Sequence, residues 1–417
     1  MIPYTQLFHV FWRIGILSFG GPAAQISVMH KELVEDRQWL NEEAFLRALS
    51  FCMLLPGPEA MQLATYAGWK LRGVAGGLIA GLLFVLPGAF VIAGLVAVYA
   101  IYGDVPGVQA AFLGIKAAVI AIVLQALARL SQKTLKQPID AILAGSAFVG
   151  IFAFNLPFPL IVLIAGLWGF WSSPTSGQTE VEQPAPTRWH AGLKTCLIWL
   201  PLWLGPVVFL TLTGQTFLAD MGWFFVKLAV VTFGGAYAVL AYMSQTVVDQ
   251  YGWISTGQMI DALGLAETTP GPLILVTQFV AMLAGYLNQG IALAITAGLL
   301  ALWTTFVPCF LWIFLAAPHL ERITSHARLS GALRAITAAV VGVILNLSVW
   351  FSINVLFENS TNVNAGPVTL SVPDWSSLNL TSALLTIASI VSLMVLKLRL
   401  EVVLLVMLLA AWLAHSI

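Results

Sequence analysis

The sequence predicts an all-α polytopic membrane protein with about 13 transmembrane segments, arranged as two inverted repeats that contain broken helices. Hydrophobic residues make up 59% of the 417 residues and charged residues only 9%, which argues strongly against a soluble protein. Apolar runs close to the length of a bilayer span recur along the chain. One long stretch of the sequence also occurs twice.

The duplicated stretch runs from Phe19 to Ala60 and again from Phe233 to Leu275. An offset of 214 residues, without a gap, aligns the two Phe-Gly-Gly motifs and the two Pro-Gly-Pro motifs. Between Phe19 and Pro58, 12 of 40 positions are identical. This composition would give about three identities by chance, so the repeat is real.

Apolar periodicity predicts the order of the helices along the chain. The predicted segments are residues 5–30, 42–69, 75–101, 107–130, 136–153, 157–172, 194–213, 216–245, 256–286, 289–318, 329–357, 380–397 and 399–416. A polar stretch within residues 173–193 predicts a linker. It would separate a first repeat, residues 1–172, from a second repeat, residues 194–417.

The distribution of lysine and arginine predicts the orientation, because short cytoplasmic loops hold an excess of both. Basic residues occupy alternate loops, while the loops at 102–108, 155–159, 219–222 and 358–374 carry none. This predicts a cytoplasmic N-terminus and a periplasmic C-terminus. The basic first loop is the exception, so either it lies outside or the second segment is re-entrant. Seven segments separate the two repeat starts, which would make the repeats inverted.

Each Pro-Gly-Pro motif is expected to break its segment into two half-helices, because proline cannot donate to a helix and glycine weakens it. The motifs are Pro56-Gly57-Pro58 and Pro270-Gly271-Pro272. Backbone groups freed at membrane depth must face protein or water, and the N–H groups at a helix start attract anions. Thr268 and Thr269 add hydroxyl donors before the second motif. A plain packing kink is the alternative.

The Phe-Gly-Gly motifs allow two interpretations. Gly20-Gly21 and Gly234-Gly235 would either break the first and eighth segments or permit close helix contact. We include these glycines among the candidate substrate-binding residues.

Ionisable residues within the spans are costly and are therefore functional candidates. Arg13, its repeat mate Lys227, and Lys116 are candidates for neutralising a bound anion, although each could instead reach the interface. Glu59, Glu267 and Asp261 lie near the breaks and are candidates for proton coupling, since protonation and anion binding would favour each other. Glu59 capping a half-helix is the alternative.

The sequence offers no signature of catalysis or of a cofactor. The histidines have no metal-ligand spacing, and no catalytic triad or phosphate-binding loop is present. We therefore predict no enzyme activity, no cofactor and no metal. Because the net charge is zero and the basic residues are scattered, we also predict no nucleic-acid partner. Transport driven by an ion gradient or by the substrate alone is the remaining mechanism.

The motifs FWRIGILSFGGPAAQ, HKELVEDRQWLNEEAF and LLPGPEAMQLATYAGW resemble the signature of the chromate ion transporter family. The second half is similar through VTFGGAYAVL and TTPGPLILVTQFVA, and the resemblance covers the chain apart from the linker and the last two segments. It implies a two-domain transporter of the bacterial inner membrane that exports chromate against protons, confers chromate resistance and recognises sulfate as an analogue. Uptake of sulfate or another small anion, a membrane subunit without transport, and a homodimer stay open alternatives.

Overall fold

The computed structural model describes residues 2–19, 21–103, 105–173, 189–233, 236–320, 326–366 and 368–416. These residues are mostly helical. The helices are α1 (Tyr4–Leu17), α2 (Gly21–His30), α3 (Glu42–Cys52), α4 (Glu59–Tyr102), α5 (Pro106–Thr134), α6 (Pro138–Phe152), α7 (Phe158–Ser172), α8 (Trp189–Leu212), α9 (Thr216–Val231), α10 (Ala236–Gln245), α11 (Thr256–Glu267), α12 (Val276–Gln289), α13 (Ile291–Ala316), α14 (Ala327–Leu356), α15 (Leu380–Ile390) and α16 (Leu400–Ser416).

Five of the described helical stretches are long and apolar enough to cross a membrane. They are Glu59–Tyr102, Pro106–Thr134, Gly192–Leu212, Ile291–His319 and Ala327–Leu356. Five shorter apolar helices accompany them. The mostly helical, apolar architecture confirms the predicted class of an all-α membrane protein.

The predicted segment bounds agree with the helices to within a few residues, except where the repeated motifs divide a segment. Segment 5–30 is α1 and α2, 42–69 is α3 and the start of α4, and 216–245 is α9 and α10. Residues 174–188 of the predicted linker lie outside the described residues. Residues 189–193, which the sequence predicts as linker, are helical instead: α8 begins at Trp189, upstream of the apolar run.

The order of elements in the second half follows that in the first. Helices α1 and α9 end at Leu17 and Val231, which are 214 residues apart. A π-helical turn follows both α2 and α10, at Lys31–Asp36 and Thr246–Gln250. Helix α8 precedes the second series and has no described counterpart in the first.

Two tight reversals divide the next helices of each half. Helix α4 is interrupted at Gly73, which has φ +65°, and α12 is separated from α13 by Gly290, which has φ +80°. Close approaches of backbone flank both reversals, because a Cβ on Gly68 would meet the Gly76 carbonyl and one on Gly285 would lie 2.7 Å from the Leu293 carbonyl. Only glycine allows these approaches.

The chain divides into two compact units, and each takes residues from both halves. The first unit comprises Met1–Val96, Phe170–Val239 and Thr269–Leu333, and the second comprises Ala97–Gly169, Leu240–Thr268 and Arg334–Ile417. In the first unit, α8 packs on α9 and α13 through Trp203, Val207 and Leu311. In the second, α5 is the central helix and packs against α11, α15 and α16.

A small antiparallel β-hairpin lies between α14 and α15. Its strands, β1 (Ser360–Ala365) and β2 (Val368–Pro373), pair from Ser360 with Pro373 to Ala365 with Val368. The sequence predicts this stretch only as a loop without bases, so the hairpin is an addition to the all-α prediction. Strand β1 is short and mostly polar and gives little strand signal, whereas β2 alternates Val368, Leu370 and Val372 with polar residues, which is a short strand pattern.

Candidate functional site

The Phe-Gly-Gly motifs end their helices in the same way in both halves. The hydroxyl of Ser18 donates to the Ile14 carbonyl at 2.6 Å, and the hydroxyl of Thr232 donates to the Leu228 carbonyl at 2.5 Å. The N–H of the following phenylalanine then turns back onto the residue two positions earlier, at 3.0 Å in each case. Both helices therefore end directly before these motifs, at Leu17 and Val231, as a break of the first and eighth segments requires.

Two hydrogen bonds connect the motifs of one half with those of the other. The Gly57 N–H donates to the Thr232 carbonyl at 2.8 Å, and the Gly271 N–H donates to the Ser18 carbonyl at 2.8 Å. The donors are 214 residues apart, and so are the acceptors. Each Pro-Gly-Pro turn is thus tied to the Phe-Gly-Gly break of the other half, and all four residues belong to the first compact unit.

The predicted breaks at the Pro-Gly-Pro motifs are confirmed. Helix α3 ends at Cys52 and α4 begins at Glu59, immediately after Pro58. Helix α11 ends at Glu267, and a 3₁₀ turn at Leu273–Leu275 leads into α12. The central glycines have φ +121° and +85°, a region that favours glycine.

A buried glutamine holds each turn. The Gln62 amide donates to the Pro56 carbonyl and the Gln25 amide donates to the Gly271 carbonyl, both at 2.7 Å. Because a carbonyl only accepts, the Nε2 of each amide must face it and Oε1 points away. Both Oε1 atoms are buried without a partner among the described residues. They offer acceptors at the turns that no other described residue uses.

The surroundings of the two turns differ. Pro56, Gly57 and Pro58 are partly exposed, whereas Pro270, Gly271 and Pro272 are buried. A Cβ on Gly57 would meet the ends of two side chains, Gln62 Nε2 at 2.8 Å and Cys309 Sγ at 3.1 Å. The second turn also packs on backbone: a Cβ on Gly271 would lie 3.1 Å from Leu275 Cδ1 and 3.4 Å from Gly88 Cα, and a Cβ on Gly88 would meet the Pro270 carbonyl.

The remaining candidates near the turns vary in exposure. Glu59 is the first residue of α4 and is partly exposed, while Glu267 is buried as the last residue of α11. Thr268 is exposed and its hydroxyl donates to the Leu265 carbonyl at 2.7 Å, and Thr269 is buried. Gly21 begins α2 with φ +81°. Gly20, Gly234 and Gly235 lie outside the described residues.

The two matched cations of the first unit are in different situations. Arg13 is exposed and lies 3.2 Å from Glu32, a carboxylate that is only 3% exposed and that also binds Arg37 at 2.9 Å. Lys227 is exposed on α9 and forms no ion pair within the described part of the chain. The structure therefore gives Arg13 a carboxylate partner that the sequence analysis did not foresee.

Lys116 and Asp261 come together within the second unit. The Lys116 ammonium lies 3.5 Å from Asp261 Oδ2, and the Tyr99 hydroxyl donates to the same oxygen at 2.8 Å. Asp261 is buried, and its Oδ1 has no partner among the described residues. Two residues predicted for separate roles thus form one ion pair, beside a buried carboxylate oxygen that has no partner among the described residues.

Ser18, Thr232, Gln25, Gln62 and Tyr99 were not among the sequence candidates. Ser18 and Thr232 directly precede the two Phe-Gly-Gly motifs, and both carry a hydroxyl at a matched position. That pairing was a usable signal. The glutamines are isolated polar residues in apolar surroundings, and only their tertiary partners reveal what they do.

Comparison with known proteins gives one family across both halves. The family model described as chromate transporter matches residues 5–170 and 219–414. It includes the last two helical segments, which corrects the narrower extent of the sequence resemblance, and it omits α8. A chromate transport protein of Cupriavidus metallidurans is 30% identical over 81% of this chain and 80% of its own. One of Pseudomonas aeruginosa is 31% identical over 82% and 79%. No solved structure matches the chain.

Proposed function

Because the chain belongs to the chromate transporter family, we propose that it carries chromate, a tetrahedral divalent oxyanion, across the membrane as a secondary transporter. The chain is a multi-pass membrane protein, and its family is one of transport proteins. The relatives from C. metallidurans and P. aeruginosa are both described as chromate transport proteins. We extend that substrate to this chain.

The exchanged hydrogen bonds of Gly57 and Gly271 are the observation that carries the proposal. They hold two helix breaks together inside one compact unit, where freed backbone groups are tolerated only against protein or a water-filled cavity. The N-terminal turns of α4 and α12 follow these breaks, and helix N-termini favour anions. We propose that the oxyanion binds at the turns, with Thr269 and the backbone N–H groups of the first helical turns after Pro58 and Pro272 as donors.

Inverted repeats would give this site its alternating access. In the second unit, Lys133 and Thr134 at the end of α5 share a pocket with Arg334 and Thr337 near the start of α14. These helices are counterparts in the two halves. If both cross the bilayer, they cross it in opposite directions, which supports an inverted arrangement.

We propose that Lys116 and Asp261 couple transport to protons. Within the second unit, an anion that pairs with Lys116 would weaken the attraction between Lys116 and Asp261, whose Oδ1 has no partner among the described residues and can take up a proton. Anion binding and protonation would then favour each other, and linkage makes this effect reciprocal. Glu59 and Glu267 stay further candidates for the proton path, and Arg13 and Lys227 for charge neutralisation.

We propose the direction of transport and the orientation of the chain from the distribution of basic residues. The base-rich ends of α5 and α14 would face the cytoplasm, with the N-terminus inside and the C-terminus in the periplasm. In the inner membrane of a bacterium, export from that side would lower cytoplasmic chromate and confer resistance.

Uptake of labelled chromate by everted membrane vesicles under an imposed pH gradient tests the proposal. We expect accumulation driven by the gradient in the export direction, with competition by excess sulfate. The Asp261→Asn variant should lose the response to the gradient, while Asp374→Asn, an exposed carboxylate outside the helices, should keep it. Uptake of labelled sulfate without uptake of labelled chromate would identify another anion as the substrate. No flux of any oxyanion would favour a subunit without transport.

A further inference from the structure

We propose that a basic pocket between α5, α6 and α14 binds the phosphate headgroup of an anionic phospholipid, whose acyl chains lie along α6. The pocket has a volume of about 420 Å³ and belongs wholly to the second unit. It is lined by Lys133, Thr134, Lys136, Gln137, Arg334 and Thr337. The inference does not depend on which anion is transported.

Arg334 is a fixed cation in this pocket. One of its guanidinium nitrogens donates to both carboxylate oxygens of Asp140, each at 2.9 Å, and Asp140 is only 2% exposed. Asp140 also accepts the Gln137 N–H at 3.0 Å, which anchors it at the start of α6. The arginine keeps further donors free, because only one of its nitrogens is used in this pair.

Two uncommitted cations complete the charge of the pocket. Lys133 and Lys136 are exposed and form no ion pair with any other described residue. With Arg334 balanced by Asp140, the pocket carries a net charge of +2. Uncharged donors on Thr134, Gln137 and Thr337 surround it. A phosphate group satisfies this combination of two charges and several donors.

The apolar surface beside the pocket favours a lipid over a free anion. Ile139 and Ile142 lie in the first turns of α6, next to the pocket residues in sequence, and are 37% and 59% exposed. A free oxyanion would gain nothing from them, whereas acyl chains would cover them while the headgroup stayed among the bases. Basic pockets at the ends of membrane helices bind anionic headgroups by this combination.

Lipid binding to the purified full-length protein tests the proposal, by native mass spectrometry and by melting temperature. Phosphatidylglycerol, phosphatidylcholine and inorganic phosphate would each be added to the protein in detergent. We expect phosphatidylglycerol to bind and to raise the melting temperature, and the other two to do neither. The double variant K133Q/K136Q should bind it about thirtyfold more weakly, from about 1 kcal/mol for each lysine.

Matched variants keep the result interpretable. K31Q/K70Q removes two exposed lysines of the first unit and should bind as the wild type does. K133R/K136R keeps the charge and should retain binding even where the glutamine variant folds poorly. Equal binding of phosphatidylcholine, binding of inorganic phosphate as tight as that of phosphatidylglycerol, or an equal loss in K31Q/K70Q would each overturn the proposal.

Discussion

The turn at Pro56–Pro58 is partly exposed and the turn at Pro270–Pro272 is buried, although the central glycine of each donates the same 2.8 Å hydrogen bond. The first turn touches the ends of flexible side chains, Gln62 and Cys309. The second lies against the backbone of α4 at Gly88. The repeated backbone therefore makes the same hydrogen bond in both halves, while its surroundings differ. Side-chain ends can move aside and backbone cannot, so we infer that the first turn is the mobile partner.

The largest effect is expected from filling the contact that fixes the second turn. In Gly88→Ala the new methyl would overlap the Pro270 carbonyl, so α4 or the turn must shift, at a cost of about 1–3 kcal/mol. We expect a lower melting temperature of the purified protein and less of it in the membrane. Gly94→Ala on the same helix has open space and should keep the wild-type value. Equal melting temperatures of the two variants would contradict a fixed second turn.

The second largest effect is expected on the coupling of chromate flux to a pH gradient, and it should differ between two matched positions of opposite charge. Arg47 and Asp261 are 214 residues apart, but Arg47 pairs with Glu43 at 3.3 Å on the surface, whereas Asp261 is buried beside Lys116. Asp261→Asn should abolish the acceleration of chromate flux by a pH gradient. Arg47→Gln should change flux by less than about twofold, because an exposed pair contributes little. Loss of coupling in both variants would mean that the halves are equivalent.

A smaller effect is expected at the first turn. Gly57→Ala places a side chain at φ +121° and pushes on Gln62, so strain of order 1–3 kcal/mol falls on the mobile turn. We expect about tenfold lower chromate flux at an unchanged protein level. Gly214→Ala, at φ +74° in an open loop, carries comparable strain elsewhere and should leave flux intact. Equal losses would show that strain alone lowers flux.

The sequence was sufficient for the helices and their breaks because these depend on local chemistry. Proline and glycine at positions 56–58 and 270–272 restrict the backbone wherever the chain goes, and apolar runs report span length directly. The exchanged bonds from Gly57 to Thr232 and from Gly271 to Ser18 could not be predicted in this way, because they join residues distant in sequence through tertiary packing.

The charged candidates show the same limit. Lys116 and Asp261 were each selected because an ionisable residue within a span is costly, but the cost says nothing about the partner. The structure shows that Lys116 pairs with Asp261 and that Arg13 pairs with Glu32. Lys133, Lys136 and Arg334 belong to the basic loops, whose residues predict only the orientation from sequence. Their shared pocket depends on how α5, α6 and α14 pack.

The smallest expected effect compares the matched cations Arg13 and Lys227. Arg13→Gln leaves the buried Glu32 paired with Arg37 at 2.9 Å, so no carboxylate loses its last cation. Lys227 has no ion pair among the described residues, so its charge is fully available to an anion. We therefore expect Lys227→Gln to lower chromate flux by up to about fivefold, the factor for 1 kcal/mol, and Arg13→Gln to lower it less. Initial rates at low and high salt measure this, since screening should shrink the difference. A larger loss in Arg13→Gln would instead make the charge next to Glu32 the one that the anion meets.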